Sequence, residues 1–303
     1  MEKILIFGHK NPDTDTICSS IVMEDIEKKL GNDCIAVRTG KTNKETQYVL
    51  KYLGMEEIPY IEDVEDGAKV ILVDHNAAKQ SPANIANAEI LKVVDHHQID
   101  FKSAKPIYFR AEPVGCTSTV LYHLYKENNL EISKKIATLM ISAIVSDTLL
   151  FKSPTCTEED KKVVQELSEI AGINVEEYGM EMLKAGTDLD DFSEEELINI
   201  DAKEFNSNGI NYVIAQVNTV CIPDVLKRKE KIEQVINKEI ETKGLKLFVF
   251  AITDIVNSNS EAIVLGERTD IIEKTYKIEN NIAVMPGVVS RKKQILPMVE
   301  ANI

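Results

Sequence analysis

The chain has 303 residues, of which 44% are hydrophobic and 28% charged, and its formal net charge is −15 at pH 7. The length favours two domains, at roughly 150 residues per domain, and the acidic balance argues against nucleic-acid binding, which needs many lysines and arginines on one surface. We find no apolar run of membrane-helix length and no signal-peptide pattern before the first strand, so we expect a cytoplasmic protein that binds no membrane.

The first half alternates short apolar runs with helical patterns, which predicts an α/β fold with a parallel sheet. The predicted strands cover residues 4–7, 34–37, 70–73 and 91–94. One predicted helix follows Asp15 and runs to Leu30, and a second starts from a capping box of Thr42 and Glu45 and runs to about Leu53. A third, over residues 133–145, has one apolar face.

Residues with metal-binding side chains follow three of these strands directly. GHKNPDTD begins after the first strand, DHN after the third and DHH after the fourth, while SDT ends the helix over residues 133–145. In an open parallel sheet, ligands bind beyond the carboxyl ends of the strands. We therefore expect all four segments to meet at one edge of the sheet.

Together these segments offer imidazole and carboxylate groups without a neighbouring cysteine. The candidates are His9, Asp13, Asp15, Asp74, Asp95, His96, His97 and Asp147. Such a mixture suits Mn²⁺ or Co²⁺, whereas Mg²⁺ prefers oxygen ligands and structural zinc usually recruits thiolates. So many carboxylates repel one another unless cations lie between them, which indicates two divalent ions.

Two divalent ions about 3.5–4 Å apart bridge a water molecule, lower its pKa and hold it in line with a phosphorus atom. The sequence therefore predicts hydrolysis at phosphorus.

Four of the five histidines fall in these segments. His123, in the helical stretch TVLYHLYKE, is expected to be structural, and His75 is either a ligand or a supporting neighbour of Asp74.

The acidic, turn-rich segment GTDLDDFS suggests a boundary, with a first domain over residues 1–186, a linker over 187–193 and a second domain over 194–303. The second half begins with a helix-like stretch over 193–205 and a charged helix is predicted over 224–242. Strands are predicted over 212–217, 245–252 and 261–265. These elements predict a smaller mixed α/β domain.

The order HxxxDxD, DH, DHH and a later Asp resembles the DHH phosphoesterase superfamily and, within it, the family II inorganic pyrophosphatases. SDTLLFKSPTCTEED is similar to the segment that follows the last metal-binding Asp of that family, and SRKKQ, from Ser290 to Gln294, is similar to its substrate-binding segment. The resemblance extends from residue 8 to residue 297, which is nearly the whole chain.

The resemblance implies two Mn²⁺ ions per subunit, with Co²⁺ as a possible substitute, and Mg²⁺ that arrives with the substrate. One ion would be held by His9, Asp13 and Asp74, and the other by Asp15, Asp74, His96 and Asp147. His97 would face the substrate, with Asp95 and His75 in supporting roles.

From the second domain, Lys203, Arg291 and Lys292 would bind pyrophosphate, so the active site would lie in a cleft between domains that close across the linker. A metal-bridged water or hydroxide would then split inorganic pyrophosphate into two phosphates. The resemblance also implies a homodimer formed through the first domain.

Two alternative activities share the metal site: a short-chain exopolyphosphatase and a DHH-type phosphodiesterase. Diesterase relatives carry a glycine-rich GGGH-type motif, whereas this chain has SRKKQ, and the intact DHH triplet favours a pyrophosphatase over an exopolyphosphatase. Regulatory members of the family carry nucleotide-binding insertions. Here the intervals from residue 15 to 74 and from 95 to 147 contain ordinary strand and helix patterns, so we expect no control by adenine nucleotides.

Overall fold

The computed structural model describes residues 3–303. The chain forms two compact units, one that ends at Gly186 and one that spans Thr187–Ile303, and each contains its own sheet. Residues 187–193 contain neither helix nor strand, and their role as a linker stays a prediction. None of the helices within residues 3–303 has the length and apolar character that a membrane span requires.

The first unit consists of five strands and six α-helices among the described residues. The strands are β1 (Ile4–Phe7), β2 (Cys34–Ala36), β3 (Lys69–Val73), β4 (Glu89–Asp95) and β5 (Tyr108–Ala111). The helices are α1 (Thr14–Lys29), α2 (Lys44–Tyr52), α3 (Thr117–Glu127), α4 (Lys134–Asp147), α5 (Glu158–Ala171) and α6 (Val175–Gly186).

All strand pairs of this sheet are parallel, in the order β2-β1-β3-β4-β5. The chain leaves β1 toward β2 on one side and returns to β3 on the other. A crevice opens at such a reversal of strand order, beyond the carboxyl ends of the two strands. Here those ends are Phe7 and Val73, so the residues that follow β1 and β3 lie at the crevice.

The predicted parallel sheet and the three predicted helices are confirmed, with bounds that shift by one or two residues at most ends. β5 was not among the predicted strands. The capping box of Thr42 and Glu45 is wrong: Asn43 caps α2, and its side-chain oxygen accepts the Thr46 N–H at 2.7 Å. The Thr42 hydroxyl instead donates to Glu57.

The second unit forms a mixed six-stranded sheet in the order β10-β11-β9-β8-β7-β6, in which β7 and β8 are parallel and the other pairs antiparallel. Its elements are α7 (Glu194–Leu197), β6 (Ala202–Ser207), β7 (Ile210–Thr219), α8 (Ile222–Leu226), α9 (Lys229–Lys243), β8 (Leu247–Asp254), β9 (Asn259–Leu265), α10 (Asp270–Glu273), β10 (Ile278–Glu279), β11 (Ile282–Pro286), a π-helical turn (Arg291–Ile295) and α11 (Leu296–Asn302).

The mixed α/β character predicted for this region is confirmed, but two predicted helices differ. The helix-like stretch over 193–205 is helical only to Leu197, because the residues after it pair as strand β6 with β7 and Phe205 stacks on Tyr212. The charged helix is divided into α8 and α9 near Arg228, whose guanidinium donates to the Leu189 and Phe192 carbonyls.

Candidate metal centre

The loop between β1 and α1 places His9 and Asp13 side by side. Asp13 caps α1, because its Oδ1 accepts the Thr16 N–H at 2.9 Å, and its Oδ2 lies 3.3 Å from His9 Nε2. Gly8 allows the loop to pack closely against Thr16 of α1, since a Cβ at that position would lie 2.5 Å from the Thr16 side chain. One end of Asp13 therefore fixes the helix while the other end faces the imidazole.

Asp74 follows β3 in the left-handed backbone region, with φ of 57°, which is uncommon for a residue other than glycine. Its carboxylate is 1% exposed and accepts the Thr16 hydroxyl at Oδ2 (2.6 Å) and the Thr117 hydroxyl at Oδ1 (3.1 Å). Oδ2 lies 3.5 Å from His9 Nε2, and Oδ1 lies 3.5 Å from His96 Nε2. Asp74 therefore presents one oxygen to each histidine.

Asp15 lies in the first turn of α1 and is fully buried. Its Oδ1 accepts the Ser19 hydroxyl at 2.5 Å, and its Oδ2 accepts the backbone N–H of Thr117 at 2.8 Å. Thr117 begins α3, so the amino-terminal ends of two helices face this carboxylate, where their partial positive charge favours an anion.

His96 is oriented through its Nδ1, which lies 3.1 Å from the Val114 carbonyl oxygen. Since a carbonyl only accepts, Nδ1 carries a proton there, and Nε2 faces Asp74 and Asp147 Oδ2 (3.6 Å). Within residues 3–303, Nε2 is buried without a hydrogen-bond partner. A histidine that donates one ring N–H to a backbone carbonyl and leaves the other nitrogen for the ion is the usual arrangement of a metal ligand.

The electrostatics of this cluster favour a bound cation. Burial and the neighbouring Asp15 raise the pKa of Asp74 to about 7, and the same causes raise the pKa of Asp147 well above its usual range. Burial opposes protonation of His96, but Asp74 and Asp15 outweigh it and raise its pKa to about 9. The buried carboxylates thus repel one another, and divalent cations between them would relieve that repulsion. The donor set fits Mn²⁺.

Three sets of side chains have ligand atoms within 4.8 Å of one another: His9, Asp13 and Asp74; Asp15, Asp74, His96 and Asp147; and Asp74, His96 and His97. The structure therefore brings together all six residues that the resemblance implies as ligands. The first two sets have the same members as the two ion sites that the resemblance implies. Asp74 belongs to every set, as a ligand shared by two ions must.

Asp95 holds the DHH segment in place. Its Oδ1 accepts the His96 N–H (2.8 Å), the His97 N–H (3.1 Å) and a ring N–H from His97 Nδ1 (2.9 Å), and Asn76 donates to its Oδ2 at 2.6 Å. Burial raises the pKa of Asp95, but the bonds from His97 and Asn76 outweigh it and lower the value to about 2. Asp95 is thus an ionised acceptor whose bonds orient His97, a side chain that is 48% exposed.

His75 and His123 lie outside the three sets. The ring nitrogens of His75 are 3.0 Å from the Val73 carbonyl and 2.7 Å from the Ser81 hydroxyl, and burial lowers its pKa to about 4. His75 is therefore a neutral residue whose two ring nitrogens both have hydrogen-bond partners. His123 lies on α3 between Glu112 (2.8 Å) and Glu159 (3.1 Å), a structural position as expected.

Several residues at this centre were not found by sequence reasoning. Thr16 and Thr117 bind the Asp74 carboxylate, Asn76 binds Asp95, and Glu45 contacts segments next to the ligands. Thr16 directly follows the GHKNPDTD segment, and Asn76 is the last residue of DHN. Thr117 is 43 residues from Asp74, so proximity along the chain could not have identified it.

In the second unit, Lys203 lies exposed on β6 and pairs with Ile214 of β7. Two residues earlier, Asp201 accepts the Arg291 guanidinium at its carbonyl oxygen (2.7 Å) and its Oδ1 (2.9 Å). Lys203 and Arg291 thus lie near the same end of β6. Lys292 follows within the π-helical turn and is exposed.

The SRKKQ segment is shaped by its first and last residues. The Ser290 hydroxyl accepts the Lys293 N–H at 3.2 Å, and Gln294 Oε1 accepts the N–H groups of Val289 (2.9 Å) and Ser290 (3.1 Å). Gln294 Nε2 also donates to the Gly287 carbonyl. These bonds hold the turn that carries Arg291 and Lys292.

Both parts of the chain match models of known protein families. Residues 3–144 match the model of the DHH family, N-terminal domain, and residues 180–302 match the DHHA2 domain. The first match contains five of the six candidate ligands, and Asp147 lies just beyond it. The second match contains Lys203, Arg291 and Lys292. Both parts of the chain thus correspond to domains of DHH proteins.

The similarity to individual proteins is extensive. The manganese-dependent inorganic pyrophosphatase of Bacillus subtilis (strain 168) is 52% identical over 303 residues, which covers 99% of this chain and 98% of that protein. A probable manganese-dependent inorganic pyrophosphatase of an Exiguobacterium species is 53% identical with the same coverage. A crystal structure from Methanococcus jannaschii, assigned to family II inorganic pyrophosphatases, has a TM-score of 0.63 at 40% identity and covers 100% of this chain, with 99% of its own length matched. The chain belongs to the manganese-dependent, family II inorganic pyrophosphatases.

Proposed function

We propose that the protein hydrolyses inorganic pyrophosphate to two phosphates with two Mn²⁺ ions. The observation that carries this proposal is the pair of His and Asp sets that share Asp74 within the first unit. Membership of the family supplies the substrate and the metal, because the relatives are named for both. The protein is accordingly a hydrolase of phosphorus-containing anhydrides.

The proposed ligands divide into two groups. His9, Asp13 and Asp74 hold one ion, and Asp15, Asp74, His96 and Asp147 hold the other, in support of which each group has its ligand atoms within 4.8 Å. Co²⁺ is a possible substitute for Mn²⁺, since the same nitrogen and oxygen donors suit it. Two bound divalent cations supply charge stabilisation at phosphorus and lower the pKa of the attacking water.

The protein side chains bind and orient the substrate in this proposal. His97, exposed and fixed through Asp95, contacts a phosphate oxygen. Lys203, Arg291 and Lys292 contribute positive charge for the phosphates, and Mg²⁺ accompanies the substrate. A guanidinium presents a planar pair of donors and an ammonium a compact charge, so both stabilise the negative charge that develops on the departing phosphate.

Phosphate release tests the substrate. The protein is stripped with EDTA, reloaded with Mn²⁺, Co²⁺, Mg²⁺ or Zn²⁺, and assayed with pyrophosphate, tripolyphosphate and a dinucleotide at equal concentration. We expect the highest rate with pyrophosphate and Mn²⁺ or Co²⁺. A preference for tripolyphosphate would indicate an exopolyphosphatase, and a preference for the dinucleotide would indicate a phosphodiesterase.

We also propose a cytoplasmic homodimer without control by adenine nucleotides. The first sheet supports self-association, because β5 forms its edge and Tyr108 on that strand is 43% exposed. Sedimentation equilibrium tests the dimer, and a monomer at micromolar concentration would contradict it. A change of rate on adding AMP or ATP at fixed free Mg²⁺ would contradict the absence of nucleotide control.

A further inference from the structure

Glu45, near the start of α2, joins two chain segments that carry proposed metal ligands. Its Oε1 accepts the Thr14 hydroxyl at 2.6 Å and also accepts the Ser146 hydroxyl. Thr14 lies between Asp13 and Asp15, and Ser146 directly precedes Asp147. One carboxylate oxygen therefore connects the start of α1 with the end of α4, although Glu45 and Ser146 are 101 residues apart.

The surroundings hold Glu45 in this position. The adjacent Thr46 hydroxyl lies 3.2 Å from the Thr14 hydroxyl, which is a second contact between α2 and the start of α1. On the other side lies Gly186 at the end of α6, where an added Cβ would come within 2.9 Å of the Glu45 side chain. Further along α2, Tyr52 packs on Tyr178 of α6 with ring centroids 4.8 Å apart. The Glu45 side chain is thus fixed between three helices.

We propose that Glu45 is a positioning residue of the manganese centre, which sets Asp15 and Asp147 at the separation that one ion requires. This inference rests on the proposed function. Both aspartates belong to the same ligand set, yet they come from helices whose ends are linked at this point through Glu45. Residues that orient ligands typically contribute roughly 10–100-fold to metal affinity, because a ligand displaced by even a fraction of an ångström weakens its bond to the ion.

Direct Mn²⁺ titration of the EDTA-treated full chain tests this role. We expect Glu45→Ala to weaken Mn²⁺ binding by roughly 10–100-fold. Glu45→Gln keeps an oxygen that accepts both hydroxyls, so it should restore most of the affinity. Glu181→Ala is the matched control, since Glu181 accepts the Tyr48 hydroxyl at 2.8 Å on the exposed side of the same helix pair. That variant should bind Mn²⁺ as the wild type does.

Ser146→Ala provides a second measurement that does not depend on the folding of Glu45→Ala. It removes one of the two hydroxyls and should weaken Mn²⁺ binding in the same direction but by less. Circular dichroism of each metal-free variant accompanies the titrations. Wild-type affinity in Glu45→Ala or in Ser146→Ala would overturn the proposal, as would equal losses in Glu45→Gln and Glu45→Ala.

The proposed function fails separately. If the wild type binds two Mn²⁺ ions but releases no phosphate from pyrophosphate, the function is wrong while the titrations still decide the role of Glu45. If the wild type binds no Mn²⁺, both proposals are overturned.

Discussion

The proposed metal ligands and the proposed phosphate-binding cations differ in how firmly the fold holds them. Asp15 and Asp74 are buried, and each of their carboxylate oxygens accepts a hydrogen bond, either from a serine or threonine hydroxyl or from the backbone N–H at the start of α3. Lys203 and Lys292 are exposed, and within residues 3–303 only Arg291 of the three has a described side-chain partner, Asp201. Metal ligands need fixed positions before the ion binds, whereas long cationic side chains adapt to the anion that they contact.

The largest expected effect follows from removing the shared ligand. Asp74→Ala should lose both ions and should lower activity by more than the roughly 10–100-fold typical of residues that support a metal from outside its ligand shell. Metal analysis after dialysis and phosphate release measure the two effects. Asp33→Ala, an exposed aspartate that pairs with Lys3, is the control. Two bound Mn²⁺ ions in Asp74→Ala would contradict the sharing of this ligand.

Removal of the metal ions should destabilise the protein, because the buried carboxylates then repel one another. The size of this destabilisation should depend on pH. The folded-state pKa of Asp74 is about 7, above its usual value, so the metal-free protein loses stability as pH rises from about 4 toward 7. Bound cations need ionised carboxylates, so their stabilisation grows over the same range. At a free metal concentration of a hundred times Kd, each bound cation contributes about 2.7 kcal/mol.

Scanning calorimetry at several pH values measures this effect. The difference in Tm between Mn²⁺-loaded and EDTA-treated protein should increase from about pH 5 to about pH 8. A difference that is constant with pH would show that the carboxylates do not exchange protons for metal. The transition assigned to the second unit should not respond, because its described residues contribute to none of the three ligand sets.

Arg291→Ala tests the proposed phosphate-binding cations. It should leave the Mn²⁺ content unchanged and weaken substrate binding by about 2 kcal/mol, the range of a hydrogen bond to a charged group, or roughly thirtyfold. KM and metal content are measured together. Arg268→Ala removes a partly exposed arginine of the same unit that pairs with Asp270, so it should change neither. Loss of Mn²⁺ in Arg291→Ala would show that the two groups are not independent.

The same contrast explains what the sequence predicts. Buried strands such as β3 are continuous apolar runs, and the ligand motifs follow them directly, so residue types alone predict the parallel sheet and eight candidate ligands. The choice of six among these eight came from the resemblance. The edge strand β6 has the sequence AKEFNS, which carries no clear apolar alternation, and it follows a helix start with a true capping box. Its strand pairing with β7 is decided by tertiary contacts instead.

The residues that support the site could not be identified from the sequence, because their contacts join distant segments of the chain. Thr117 and Glu45 act through hydroxyl and carboxylate contacts between segments far apart in the chain. Such contacts depend on how helices pack and leave no periodic pattern. Lys203, Arg291 and Lys292 were selected through resemblance, since exposed basic residues are abundant on any protein surface.

The smallest expected effect concerns the link between Asp95 and His97. The His97 ring donates a hydrogen bond to Asp95, and this bond raises the pKa of His97. Asp95→Asn removes the negative charge but keeps the shape, so His97 should titrate at lower pH in the variant than in the wild type, by about one unit for each 1.4 kcal/mol of lost interaction. Proton NMR of the EDTA-treated protein follows this titration. An unchanged pKa would mean that Asp95 fixes the backbone of the DHH segment through its bonds to the two N–H groups and leaves the His97 ring unaffected.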